Sequence, residues 1–262
     1  MVGSGSNPAH LNKRSVVDIL GVSVDRLDMP DTLERIETFI ASGRPHRHVV
    51  VNASKLVMIR GDDHLARTVE SCDLVSADGQ SVVWASRLTG CPLPSRVTGI
   101  DLMIELLHLA SERGYGVYML GAGEETVTKV VSGCKSEFSG VKIVGWHSGY
   151  FDAAEEQQII SDIRSCQPHI LFVALGSPLQ EFWLENNHTD LAVPFSMGVG
   201  GSFDVLAGNL RRAPLWMQRR GLEWLFRLLL EPRRMWKRYL KTNLVFAWLV
   251  WKEHFRSGGL PR

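Results

Sequence analysis

Short apolar runs alternate with stretches of helical periodicity from His48 to Met197, and this alternation leaves few folds open to the chain. The segment "HVVVNAS", from His48 to Ser54, is a continuous β-branched run, as expected of a strand buried on both faces. Comparable runs recur at Leu74–Ala77, Val117–Leu120, Lys142–Val144, Ile170–Leu175 and Val193–Met197. Helical spacing appears at Pro30–Ala41, Ser81–Leu88, Asp101–Ser111, Glu124–Phe138, Ala154–Cys166 and Leu179–Asn187. Strand and helix taking turns predict an α/β fold: a Rossmann-like, mostly parallel sheet flanked by helices. Val16–Leu20 and Val22–Val24 are further short strand candidates.

In such sheets the binding crevice lies beyond the carboxyl ends of the strands. Five consecutive strand ends here carry glycine or a small polar residue. They are Asn52, Asp78-Gly79, "GAGEET" from Gly121, "GSPLQE" from Gly176, and "GVGGSFD" from Gly198. One composite polar site is the expectation.

Each piece has two readings. In "GAGEET", Gly121, Ala122, Gly123 and Glu124 suit a phosphate at a helix N-terminus or a plain tight turn. The fingerprint is incomplete, because Thr126 stands where a dinucleotide site has its third glycine. Gly200 and Gly201 allow close backbone approach to a ligand, with Asp204 one turn on. Ser177 reads as an N-cap with Pro178 at the first helical position. Gln180 then either closes a capping box with Ser177 or turns its amide to a base or sugar hydroxyl. Asp78-Gly79 is a turn signal, yet a helical pattern follows it rather than a second strand. Asp78 therefore either caps that helix or takes a proton from a substrate hydroxyl. Arg96 is a surface arginine or a fork for a carboxylate or diphosphate. His46 and His48 read as a solvated loop, and no metal cage or nucleophile motif stands out.

Charge divides the chain. The first 210 residues carry 16 Lys and Arg against 25 Asp and Glu, and the last 52 carry 13 against 3. The basic tail also holds five of the eight tryptophans, with Arg211, Arg212, Arg227, Arg233 and Arg234 interleaved among them. Pro232 is expected to break its helical pattern. Basic helices with Trp, Phe and Leu on the other face lie in a membrane interface. Nucleic acid would use the same charges, but "LLL" and "LVFAWLVW" favour lipid or a packed partner face. The run Thr242–Trp251 has ten uncharged residues, about half of what a spanning helix needs. Four cysteines without metal or disulfide spacing suggest a reducing compartment. The polar opening "MVGSGSNPAHLNKRS" lacks the apolar core of a signal peptide. The expected organisation is a lead-in at 1–15, a catalytic core at 16–210 and a membrane-associating appendage at 211–262.

The ordered set "VNASKLV", "ADGQSVVWASRL", "RVTGIDLM", "GAGEE", "GYF", "ALGSPLQE", "MGVGGSFDVLAG", "RAP" and "GLEWLFRLLLEPRR" resembles the WecG/TagA/CpsF glycosyltransferases (glycosyltransferase family 26). The likeness runs from about residue 16 to about residue 240. It implies an inverting bacterial transferase moving a sugar from a UDP-sugar to a polyprenyl-diphosphate-linked saccharide. It implies a peripheral enzyme at the cytoplasmic face of the inner membrane; with no metal cage evident in the sequence, no metal cofactor is expected. The family's proposed general base falls on Asp78, its motif arginine on Arg96, its motif glutamine on Gln180 and its strand-end asparagine on Asn52. Val50 stands where some relatives have threonine. A homo-oligomer is compatible with the sequence. A nucleotide-dependent oxidoreductase and a non-catalytic membrane scaffold are the competing functional classes.

Overall fold

The computed structural model describes residues 14–230 and 232–256, apart from the side chains of Arg219, residues 233–241 and Arg256. Two short strands, β1 (Val16–Ile19) and β2 (Val22–Asp25), form an antiparallel hairpin. Its closing carboxylate reaches the main sheet, where Asp25 accepts from the Val75 amide at 2.8 Å and from Arg14. The hairpin so covers a sheet edge that would otherwise be open for pairing. Helix α1 (Met29–Ser42) follows, with Asp28 accepting from the Asp31 amide at its start and Gly43 in the left-handed region at its end.

Strand β3 (His46–Val51) begins earlier than its apolar run suggests. His46 and His48 are not in a solvated loop. Both are buried, because ladder pairing to a neighbouring strand takes them into the sheet, and His48 meets Ser76 through Nε2. Two short helices, α2 (Ala53–Ile59) and α3 (Asp63–Glu70), fill a stretch without long periodicity; Asn52 and Asp62 cap them. Then come β4 (Leu74–Ala77), α4 (Gln80–Leu88), α5 (Gly99–Arg113), β5 (Gly116–Gly121), α6 (Glu124–Glu137) and β6 (Lys142–His147). The core closes with α7 (Ala153–Cys166), β7 (Ile170–Ala174), α8 (Leu179–Leu191), β8 (Phe195–Gly198) and α9 (Ser202–Leu206).

The six strands are all parallel, in the order β4-β3-β8-β7-β5-β6. Period-two alternation assigns their side chains to two faces. Val117, Met119, Ile170, Phe172, Phe195 and Met197 meet α1, α5, α6 and α9 on one. Tyr118, Leu120, Leu171 and Val173 meet α7 and α8 on the other. Val49, Val51, Val75 and Ala77 pack with the hairpin and α2, α3 and α4. The expected α/β class is what the chain adopts.

Helices α10 (Leu215–Arg219), α11 (Glu223–Leu230) and α12 (Pro232–Arg256) follow the core. Pro232 opens α12, where its missing amide costs nothing. Phe246 and Val250 are buried in the cluster that holds α2 and α4, so this segment packs onto the core. His254 Nδ1 lies 2.9 Å from the Leu88 carbonyl, tying the far end of α12 to the end of α4. No described helix is long and apolar enough to cross a membrane.

Candidate active site

The five polar strand ends are not consecutive in the chain, since β6 intervenes. They are contiguous in space. Strand order puts the ends of β4, β3, β8, β7 and β5 side by side, with β6 outermost.

Asp78 follows β4, and its amide extends the ladder by donating to Val51 O at 2.9 Å. It does not cap α4, whose N-cap is Gly79 with no side-chain hydrogen bond. Its carboxylate points instead to two other elements. Oδ1 accepts from the Gly99 amide at the start of α5, at 2.9 Å, and Oδ2 accepts from Asn52 Nδ2 at 3.3 Å. The Gly99 bond forms because Val97 donates to Ala77 O, which draws the chain after Arg96 alongside the strand end. The half-buried carboxylate is thus anchored on both oxygens and still reaches solvent.

Asn52 is the N-cap of α2, where Oδ1 accepts from the Lys55 amide at 3.1 Å. Both ends of its amide therefore serve the scaffold, one holding α2 and the other orienting Asp78. Val50 packs on this corner. A Cβ on Gly99 would lie 3.6 Å from its Cγ2, so the residue contributes apolar contact here and no hydroxyl.

Gln180 closes no capping box. The Ser177–Pro178 peptide is cis and Pro178 itself is the N-cap of α8, so the Ser177 hydroxyl does not cap the helix. Gln180 turns inward instead and is buried. Its Oε1 accepts from the Gly200 amide at 3.1 Å, and its Nε2 donates to Glu181 Oε1 at 3.1 Å. A Cβ at position 198 would collide with the Gln180 amide, so glycine there leaves the amide its place. Gly201 is exposed, and Asp204 is half-buried on α9.

At the end of β5, Gly121 adopts φ 134 with its Cα against the Ala174 backbone, and Ala122 takes φ 54. Gly123 is the N-cap of α6 and supplies no side chain. Glu124 and Glu125 already place negative charge in the first turn of α6. That charge complements the helix dipole and disfavours a phosphate at this end. Exposed Glu124 better suits hydroxyl groups as an acceptor. Beside this turn stands Tyr150, 82% exposed, with its ring edge against Gly123. An exposed tyrosine next to a glycine loop is a stacking surface for a planar base. Only its place in "GYF" marks it in the sequence.

Arg96 is neither a free surface group nor an open fork. Nη1 donates to Glu223 Oε2 at 2.5 Å, and Nη2 donates to the Gln218 carbonyl at 2.8 Å. Both partners come from the segment after the core. Arg212 joins the same cluster, bonding Asp101 and lying 3.7 Å from Glu223 Oε1. Gly221, at φ 70, presses against Gln80 so closely that a Cβ would collide with that side chain. The basic segment therefore sits on the corner that carries Asp78. Arg212 is thus engaged with the core; Arg211 and Arg227 are exposed, and the side chains of Arg233 and Arg234 lie outside the described residues.

Beneath the strand ends lies a buried ion pair that spacing alone could not reveal. Lys55 Nζ meets Glu181 Oε1 at 2.6 Å, with both side chains under a tenth exposed. His48 is next to it, and burial, with Lys55 adding to it, pushes its imidazole down to about 3. It is neutral at physiological pH. Burial likewise raises the Cys72 thiol to about 11, which makes it inert as a nucleophile. Among the described residues no group of three or more His, Cys, Asp or Glu is arranged to hold a metal ion.

A family model described as the glycosyl transferase WecG/TagA/CpsF family matches residues 17–259. The chain is 40% identical over 185 residues to an N-acetylglucosaminyldiphosphoundecaprenol N-acetyl-beta-D-mannosaminyltransferase of Bacillus subtilis (strain 168), covering 71% of each chain. It is 37% identical over 193 residues to the protein of the same name from Bacillus spizizenii, covering 74% of this chain and 73% of the relative. A Staphylococcus aureus (strain NCTC 8325) protein, again of that name, is 32% identical over 238 residues, covering 90% of this chain and 92% of its own.

Proposed function

Because the chain belongs to the glycosyl transferase WecG/TagA/CpsF family, we propose that it moves an N-acetylhexosamine-type sugar from a UDP-sugar to a polyprenyl-diphosphate-linked saccharide, with inversion. The relatives' names favour N-acetylmannosamine as the sugar and N-acetylglucosaminyl-diphosphoundecaprenol as the acceptor. The setting is the cytoplasmic face of a bacterial membrane, where the chain is peripheral and its product enters a surface polysaccharide. Exposed Trp216, Trp224, Trp248 and Trp251 on the basic segment support membrane contact.

The observation that carries the reading is Asp78, a half-buried carboxylate held on both oxygens at the β4 end of the row of polar strand ends. In this scheme Asp78 takes the proton from the acceptor hydroxyl. That oxygen bonds to the anomeric carbon as the bond from this carbon to the diphosphate breaks, and the electron pair leaves with UDP from the opposite face. Asn52 and the Gly99 amide keep the carboxylate aimed. Tyr150 stacks the uracil, and Glu124 and Asp204 accept from ribose or sugar hydroxyls. The Gly200–Gly201 backbone lies close to the diphosphate. Arg96 binds that diphosphate once Glu223 yields it. No step calls for a metal cofactor.

The test is mass spectrometry of the lipid-linked product across a panel of UDP-sugars. Asp78→Asn keeps an oxygen for the Gly99 amide, puts a donor in place of the acceptor that Asn52 meets, and removes the base. It is expected to fold normally and lose about 10²–10⁴-fold in kcat. Near-full turnover by that variant would overturn the assignment of the base. No product from any UDP-sugar would overturn the function.

A further inference from the structure

The two anchored parts of the site are joined by one polar chain, buried at its middle and half-buried at both ends. From Asp78 it runs through Asn52 to the amide of Lys55. From the Lys55 ammonium it runs to Glu181 Oε1, on to Gln180 Nε2, and from Gln180 Oε1 to the Gly200 amide. We infer that Lys55 and Glu181 are positioning residues for the transfer reaction, holding Gln180 in the one amide orientation that fixes the Gly198–Gly201 loop in register with Asp78.

A glutamine amide has a donor end and an acceptor end of nearly the same shape. Gly200 N–H requires the acceptor end. What sets the orientation is the group at the other end, and here it is a carboxylate, which accepts only. Glu181 therefore forces the amino group of Gln180 toward itself and the oxygen toward Gly200. Lys55 donates to the same oxygen, so the buried carboxylate has a charged partner. Gly198 leaves the space in which the amide lies. Lys55 in turn is carried on α2, the helix that Asn52 caps while it orients Asp78. A single hydrogen-bonded unit thus spans the ends of β4, β3, β8 and β7. A displacement of about 1 Å between reacting groups costs about 10²-fold in rate, which is the scale on which this unit acts. The Lys55–Glu181 pair itself is buried beneath the site and acts only through the groups it holds.

The inference rests on the transferase reading, and its test separates the two. Removing one member of the pair would strand a buried charge and unfold the protein, so both are neutralised together. Lys55→Met with Glu181→Gln keeps an acceptor oxygen for Gln180 Nε2; Lys55→Met with Glu181→Met keeps none. The two double variants are expected to melt within a few degrees of each other. The Met/Met variant is expected to have about 10²-fold lower kcat/KM for the UDP-sugar than the Met/Gln variant, with faster hydrogen exchange at the Gly200 amide. Equal kcat/KM and equal exchange would overturn the inference and leave the transferase reading intact. In the unsubstituted protein the Gly200 amide is expected to exchange as slowly as the amides of β8. Rapid exchange there overturns the inference whether or not the variants fold. A protein that transfers no sugar but shows the exchange difference would overturn the function and leave the positioning role.

Discussion

At the scale of single residues, burial decides which groups take part in chemistry and which set the pH range of the fold. His48 lies inside the sheet with its imidazole lowered from 6.5 to about 3, chiefly by burial and further by Lys55. Between those two values the unfolded chain binds a proton that the folded chain excludes. Stability must therefore fall as pH drops below about 6.5 and go on falling toward about 3. Between pH 7 and pH 5 this one site should remove about 2 kcal/mol. Urea unfolding of the wild type at the two pH values, compared with His48→Gln, checks this. The variant is expected to lose about that much less, and equal losses would show that His48 is not held neutral. The position also shows a limit of reading residues in sequence. A histidine pair near a polar turn looks solvated, because nothing local records that β8 will pair with it. Asp78 behaved differently. Its neighbours in sequence exclude a hairpin, and strand-end logic puts it at the crevice. Its real partners, Gly99 and Asn52, are 21 and 26 residues away and became visible only with the fold.

At the scale of elements, most of the sheet was legible because parallel strands buried on both faces must be continuously apolar. β4 matches its apolar run residue for residue, and the helices of the core differ from their periodic stretches by a few residues at their ends. What escaped was short or cooperative. Helices α2 and α3 have seven and eight residues, too few to display a period, and the caps Asn52 and Asp62 that start them resemble loop residues. The two readings of Gln180 could not be separated in sequence for a related reason. The Ser-x-x-Gln spacing fits a capping box, but Pro178 itself takes the cap position and the amide finds Gly200 instead. Helix α12 poses the remaining question at this scale, since its alternation of basic and apolar residues serves lipid or core equally. Phe246 and Val250 answer for one stripe, being buried against α2 and α4, while Leu244, Trp248 and Trp251 stay exposed on another. Phe246→Ala should remove about 3–5 kcal/mol of docking energy. Hydrogen exchange is expected to accelerate in α12 and leave β5 and β7 protected. Equal acceleration throughout would mean that α12 is part of the cooperative core.

At the scale of the molecule, an acidic body is closed by a basic segment, and the closure is made at the site rather than beside it. Glu223 is one of only three acidic residues in the last 52, and its carboxylate meets Arg96 and lies near Arg212. The Glu223 carboxylate takes one N–H of Arg96 and lies near Arg212, an arrangement in which it would compete with any anion that sought the same guanidinium groups. If Arg96 binds the diphosphate of the donor, Glu223 competes with it. Neutralising the carboxylate then removes the competitor while keeping an oxygen to hold the segment. Glu223→Gln is accordingly expected to lower the KM for the UDP-sugar several-fold, about 1 kcal/mol of binding, with kcat little changed. The opposite outcome is equally informative. A raised KM would mean that Glu223 aims the Arg96 fork rather than blocking it, as expected if arginine and carboxylate work as one preorganised unit. Measurement of both constants at low and high salt separates a partly buried contact from a screened surface one, because a half-buried pair keeps most of its strength as the Debye length shrinks. The 18% and 25% side-chain exposure of Arg96 and Glu223 puts the pair in the first class, so the change in KM should persist at high salt.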